Sequence, residues 1–125
     1  MNENEISYLV RGAIFDVYNK LGPGLLESVY VNALDYELTK KGLRVKREVP
    51  IPVYYEEIKM EVGFRLDLLI EEKVLIEVKS VENLAEVHHK QVITYLKLTG
   101  IKLGVLVNFN VDKIGSGIYR KVNGL

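Results

Sequence analysis

The chain has 125 residues, 48% of them hydrophobic and 27% charged, which fits one globular domain spanning residues 1–125. With no cysteine, a disulfide framework and thiolate metal sites are both excluded. Seventeen basic residues balance seventeen acidic ones, which argues against a protein that holds nucleic acid by basic excess alone. No apolar run approaches the roughly 18 residues a membrane helix needs. The acidic start Met1-Asn2-Glu3-Asn4-Glu5 lacks a signal-peptide pattern, so a cytoplasmic protein is expected.

Ile6, Leu9, Val10, Ala13, Ile14, Val17 and Leu21 recur at spacings of three and four, which predicts a helix from about Glu5 to Leu21. Gly22-Pro23-Gly24 ends it. A second helix is predicted from Leu25 to Lys41, with Leu26, Val29, Tyr30, Ala33, Leu34 and Leu38 as its apolar stripe and Glu27 in its first turn. Lys40-Lys41-Gly42 supplies the C-terminal signal.

After Gly42 the period becomes two. Leu43 to Tyr55 reads as a strand, with Val45, Val49, Ile51 and Val53 on one side. Pro50 and Pro52 argue for an edge position or an irregular segment there. Lys59 to Ile70 continues as a strand with Gly63 as a bulge, and Val74 to Lys79 follows as a central strand. Asn83 to Leu98 reads as a third helix, whose face carries Leu84, Val87, His88, Gln91, Val92, Tyr95 and Leu96. The apolar run Leu103 to Phe109 is a buried strand, and its place after a helix predicts parallel pairing. Gly115-Ser116-Gly117 turns the chain into a last edge strand, Ile118 to Val122. The expected fold is a three-layer α/β sandwich around a central mixed sheet.

Three charges interrupt the central strands. Asp67 breaks one apolar run, and Glu77 and Lys79 break the next. Ionised groups in buried strands are costly unless paired or bound to metal. Alternation puts Glu77 and Lys79 on the face of Leu75, while Val74, Ile76 and Val78 take the other. If Glu71, Glu72 and Lys73 form the loop, Asp67 lies opposite Glu77, roughly 5 Å away at Cβ. A loop of Glu71 and Glu72 alone would put Asp67 opposite Ile76, on the wrong face. The longer loop lacks the glycine such hairpins prefer. Two carboxylates that close repel, and a divalent cation relieves the repulsion.

A helical acid, a strand Asp, a Glu-x-Lys in the next strand and a helix with Gln form a pattern that resembles the PD-(D/E)XK nuclease superfamily. The matching residues are Glu27, Asp67, Glu77-Val78-Lys79 and Gln91. Gly24-Leu25-Leu26-Glu27-Ser28-Val29-Tyr30 is similar to the motif of the small prokaryotic family named after Gly-x-x-Glu-x-x-Tyr. Leu66 stands where a proline often precedes the strand Asp. The resemblance covers nearly the whole chain and implies a restriction-endonuclease-like core. It also implies Mg²⁺- or Mn²⁺-dependent hydrolysis of phosphodiesters in DNA or RNA, with a homodimer left open. It gives Asp67, Glu77 and the Val78 carbonyl as metal ligands, with Glu27 as a further ligand or an orienting group. Lys79 would act on the attacking water or the phosphate. Gln91, with Tyr95 near it, would steady that lysine.

A bland reading stands beside each of these. Asp67, Glu77 and Lys79 could be a structural ion pair, and Glu27 could answer the helix macrodipole alone. Tyr30 suits the core, and His88 and His89 suit the surface. Lys40, Lys41, Arg44, Lys46 and Arg47 form a basic cluster that could meet phosphates or simply be solvated. The function of a different class is a nuclease-fold module that binds within a complex without cleaving.

Overall fold

The computed structural model describes residues 1–125, the side chains of Glu61 and Val62 excepted. Helix α1 (Glu3–Leu21) and helix α2 (Glu27–Lys40) precede strands β1 (Val45–Tyr55), β2 (Ile58–Ile70) and β3 (Val74–Lys79). Helix α3 (Glu86–Thr99), β4 (Leu103–Asn108), a 3-10 turn (Ile114–Gly117) and β5 (Ile118–Val122) complete the chain.

The five strands lie in sequence order, with β1 and β5 at the edges. Pairing is antiparallel except between β3 and β4, which α3 joins as parallel neighbours. This is the expected mixed sheet, with the prolines of β1 on an edge where a missing amide breaks no central ladder.

Helices α1 and α2 cover one face. Ile6, Val10, Ile14, Val17, Tyr30, Leu34 and Leu38 pack there on Leu68, Ile70, Ile76, Val78, Val105 and Val107. Helix α3 covers the other face, with Val92, Tyr95 and Leu96 against Ile51, Leu66, Leu75 and Leu106.

The helix starts differ from expectation. Asn2 caps α1 through a capping box: its Oδ1 accepts from the Glu5 amide at 2.8 Å, and Glu5 Oε1 accepts from the Asn2 amide at 3.0 Å. Helix α2 starts at Glu27, so Leu26 is 75% exposed rather than part of the stripe. Val29 is also exposed, and Val31 is buried in its place. Three apolar residues in succession leave the choice of face to the sheet. Helix α3 starts at Glu86, where His88 Nδ1 accepts from the Ala85 amide at 3.1 Å. Val87, predicted on the buried face, lies in this first turn beyond the sheet and is exposed.

The hairpin register is the one the alternation requires. Leu68 opposes Ile76, Leu69 opposes Leu75 and Ile70 opposes Val74, which continues to Asp67 beside Glu77. The loop is Glu71-Glu72-Lys73, and without glycine Glu71 and Glu72 take positive φ of 53° and 57°. Bonds to β1's leading end hold that conformation. Glu71 Oε2 accepts from the Arg44 amide at 2.6 Å, and the Glu71 amide donates to the Arg44 carbonyl at 2.9 Å.

One feature breaks plain alternation. Val45 packs towards α1 and α2, while Val49 and Ile51, expected on the same side, pack against α3. On β2, Leu68 belongs to the first core and Leu66 to the second. Both strands therefore turn over at one level, where Glu48 has φ 49° and neither it nor Asp67 joins the ladder. Gly63 lies in the expected bulge opposite Ile51 and Val53. A Cβ there would lie 2.7 Å from the Ile51 carbonyl oxygen, so only glycine fits.

Candidate functional site

Strands β2 and β3 part after the Leu68–Ile76 pair, and two carboxylates close the gap. The Asp67 amide donates to Glu77 Oε1 at 3.1 Å, and the Val78 amide donates to Asp67 Oδ2 at 2.8 Å. Each carboxylate takes an amide that a ladder carbonyl would otherwise satisfy. Glu77 is 7% exposed and Asp67 half-buried.

Burial pushes the carboxyls of both residues up. The Asp67 charge drives Glu77 further, to about 8, against the pull of the Asp67 amide and the Lys79 ammonium. For Asp67 the Val78 amide and Lys79 oppose burial, and the charge of Glu27 adds to it. The two carboxyls therefore titrate as a pair, and burial with mutual repulsion favours one shared proton over two full charges.

Glu27 is the first residue of α2 and is exposed. Its Oε2 accepts from the Ser80 amide at 3.3 Å, just past the end of β3, so it reaches the site from the opposite layer to α3. Among the described residues, no group of three or more His, Asp or Glu gathers closely enough to hold an ion. Asp67 and Glu77 form a pair, and the charge of Glu27 reaches Asp67. Lys79 is half-buried at the end of β3 and acts electrostatically on both acids.

Gly24, Glu27 and Tyr30 work as one local device. Gly24 has φ 93°, which favours glycine. The Tyr30 hydroxyl donates to the Gly22 carbonyl at 2.6 Å and accepts from the Leu25 amide at 3.1 Å, fixing the loop that leads to Glu27. The Tyr30 ring is fully buried and stacks on Phe109 with centroids 4.2 Å apart. Ser80 Oγ donates to the Leu25 carbonyl at 2.6 Å, tying that loop to the end of β3.

Gln91 is half-buried on α3, one turn before Tyr95. Among the described residues no hydrogen bond joins it to Lys79. Burial raises the Tyr95 hydroxyl pKa, and the charges of Glu77 and Asp67 raise it further.

Sequence reasoning passed over Ser80 and Asn108. Asn108 is 3% exposed. Its Oδ1 accepts from the Val81 amide at 3.1 Å, and its Nδ2 donates to the Val81 carbonyl at 2.9 Å. Together with the Phe109 amide on the Lys79 carbonyl at 2.9 Å, it pins the segment after Lys79 to β4. One polar residue in the run Leu103 to Phe109 was the available signal; Ser80 offered none.

Each member of the basic cluster lies against an acid. Lys40 pairs with Glu37 at 3.3 Å, Lys41 with Asp16 at 3.6 Å, Arg44 with Glu71 at 3.2 Å and Arg47 with Asp35 at 3.6 Å, while Lys46 pairs with Glu72. His88 caps α3, and His89 packs edge-on against Tyr119 with centroids 4.8 Å apart.

A family model of the PD-(D/E)XK nuclease superfamily matches residues 4–121. No curated protein matches the sequence. Among solved structures, the crystal structure of SSO0001 superposes with TM-score 0.58 at 25% identity over 79% of this chain. The match covers 51% of that protein, so this chain spans about half its length. No helix among the described residues is long and apolar enough to cross a membrane.

Proposed function

The chain belongs to the PD-(D/E)XK nuclease superfamily, and from its site we propose a divalent-metal-dependent nuclease of the Gly-x-x-Glu-x-x-Tyr kind that hydrolyses nucleic-acid phosphodiesters. The observation that carries the reading is the Asp67–Glu77 clasp. Each residue binds an amide through one oxygen, Asp67 Oδ2 and Glu77 Oε1, leaving Asp67 Oδ1 and Glu77 Oε2 as donors on adjacent strands. A strand residue directs its amide and carbonyl to the same side, so the Val78 carbonyl faces the same gap. Carboxylate and carbonyl oxygens with no thiolate or imidazole suit a hard cation such as Mg²⁺ or Mn²⁺. Bound there, the ion would supply Lewis acidity towards a phosphoryl oxygen and acidify water.

The chain's own residues do the rest. Glu77 releases its shared proton as the ligand pair becomes dianionic. The Lys79 ammonium donates to the phosphate and offsets charge that develops there. Glu27, held by the Ser80 amide, orients a water at the edge of the pair. Tyr95 walls the α3 side and limits water access, with Gln91 one turn before it on the same helix.

The test is cleavage of plasmid and of single-stranded substrate with Mn²⁺ or Mg²⁺. Wild type should cut, and Glu77→Ala should not. Equal cutting by both would sink the reading. Binding without cutting would favour the non-catalytic module, which the +0 net charge and the self-satisfied clasp also suit.

A further inference from the structure

We propose that the far end of the β1–β2 hairpin is a docking surface for single-stranded nucleic acid, with a base stacked on Phe64 and phosphates against Lys59 and Arg65. The proposal rests on the nuclease reading of the adjacent site and names its substrate class. Strand β1 pairs with β2 out to Tyr55 and Ile58, whereas β3 pairs with β2 only over Leu68–Ile70. Before Leu68, β2 parts from β3 and runs on with β1 as a two-stranded arm. Ile51 and Leu66 fasten the arm to α3.

A groove of about 530 Å³ opens in this arm, and Lys59, Gly63, Phe64 and Arg65 line part of it. The Phe64 ring is 44% exposed, and its inner side meets Tyr95 with centroids 5.2 Å apart at 47°. Tyr95 in turn packs in one core with Leu66, the residue before Asp67. The groove, the ring and the clasp are thus contiguous. Phe64 precedes Asp67 on the same strand by roughly 10 Å of extended chain, so a polynucleotide stacked at Phe64 runs past the carboxylate pair. Tyr54 and Tyr55, 59% and 69% exposed, add aromatic surface further out.

Charge decides between single and double strands. Duplex binding draws its affinity from many phosphate contacts. Here net charge is +0, and the lysines and arginines between α2 and β1 are already paired with acids. Two groove cations beside an exposed ring suit the stacking mode of single-strand recognition instead. Glu56 and Glu57, at the hairpin tip, do not line the groove.

The test is fluorescence anisotropy of the full chain with labelled 20-mers of single-stranded DNA, single-stranded RNA and duplex DNA, in EDTA so that nothing is cut. At least one single strand should bind tighter than the duplex. Phe64→Leu keeps apolar contact with Tyr95 and removes the stacking face, and it should weaken that binding roughly five- to hundredfold. The exposed pair Lys59→Ala/Arg65→Ala should weaken it and flatten its salt dependence without lowering the melting temperature. Tighter duplex binding, no binding to any oligonucleotide, or binding indifferent to both variants would overturn the proposal. Intact binding with no Mn²⁺-dependent cleavage would overturn the nuclease reading and leave this surface standing.

Discussion

Asp67 and Glu77 hold two strands together by trading amides: the Val78 N–H goes to Asp67 and the Asp67 N–H to Glu77. Asp67→Asn keeps an acceptor for Val78 and removes one charge from the gap. At pH 8 without metal it should melt higher by a few degrees. Saturating Mg²⁺ or Mn²⁺ should raise wild type by roughly 3–8 °C and leave Asp67→Asn unmoved. Scanning calorimetry decides. A lower melt for Asp67→Asn with no metal effect on wild type would mean that attraction to Lys79, not repulsion, dominates the pair.

Glu77 gives the pair a pH signature. Its carboxyl rises from 4.5 to about 8 on folding. Below pH 4.5 both folded and unfolded states hold the proton, so nothing is lost. Between 4.5 and 8 only the unfolded chain ionises freely, and metal-free stability should fall as pH rises. Glu77→Gln should remove most of that slope. A cation must displace the same proton, so Mn²⁺ affinity should climb up to about tenfold per pH unit below 8 and then level off. Titration calorimetry at pH 6, 7 and 8 would reveal a flat profile if no proton is shared.

Tyr30→Phe should separate packing from tethering. The stack on Phe109 survives, and the bonds to Gly22 and Leu25 are lost. The expected loss is about 1–2 kcal/mol of stability. Cleavage should fall further than that, since the loop leading to Glu27 is freed. Activity equal to wild type at a temperature where both are folded would remove Tyr30 from the site's support.

Much of this was legible in sequence for a physical reason. The hairpin register follows from apolar alternation plus the need to put Asp67 and Glu77 in one gap, and the prolines of β1 announce an edge. What stayed hidden depends on partners distant in the chain. The basic residues from Lys40 to Arg47 look free until Asp16, Asp35, Glu37, Glu71 and Glu72 fold against them. The turn-over at Glu48 needs a positive φ at a glutamate, which no propensity suggests. Ser80 acts through one hydroxyl and one amide, and no pattern encodes either.

Glu37 tests the structural side of the charge count. It is 6% exposed on α2, with Lys20 at 3.5 Å and Lys40 at 3.3 Å. Burial pushes its carboxyl up, but the bonds and charges of the two lysines together outweigh burial and hold it below 4.5. Its contribution is therefore present above pH 4.5 and lost as pH falls through the lowered value. Glu37→Gln should melt modestly below wild type at pH 7, and the two curves should converge in acid. Cleavage should not change, because Glu37 lies near the opposite end of α2 from Glu27. A gap that persisted to pH 3 would point to packing rather than charge.

The turn-over at Glu48 and Asp67 assigns the arm to α3 instead of to the helices that cover the other end of its strands. Opening of the protein should follow that division. Amides of Val49, Ile51 and Leu66 should exchange with deuterium in step with those of α3, while Leu68, Ile70 and the α1–α2 layer stay protected longer. Asp67 stands on the seam between these two units, so a fluctuation that loosens α3 would part the clasp without unfolding the rest.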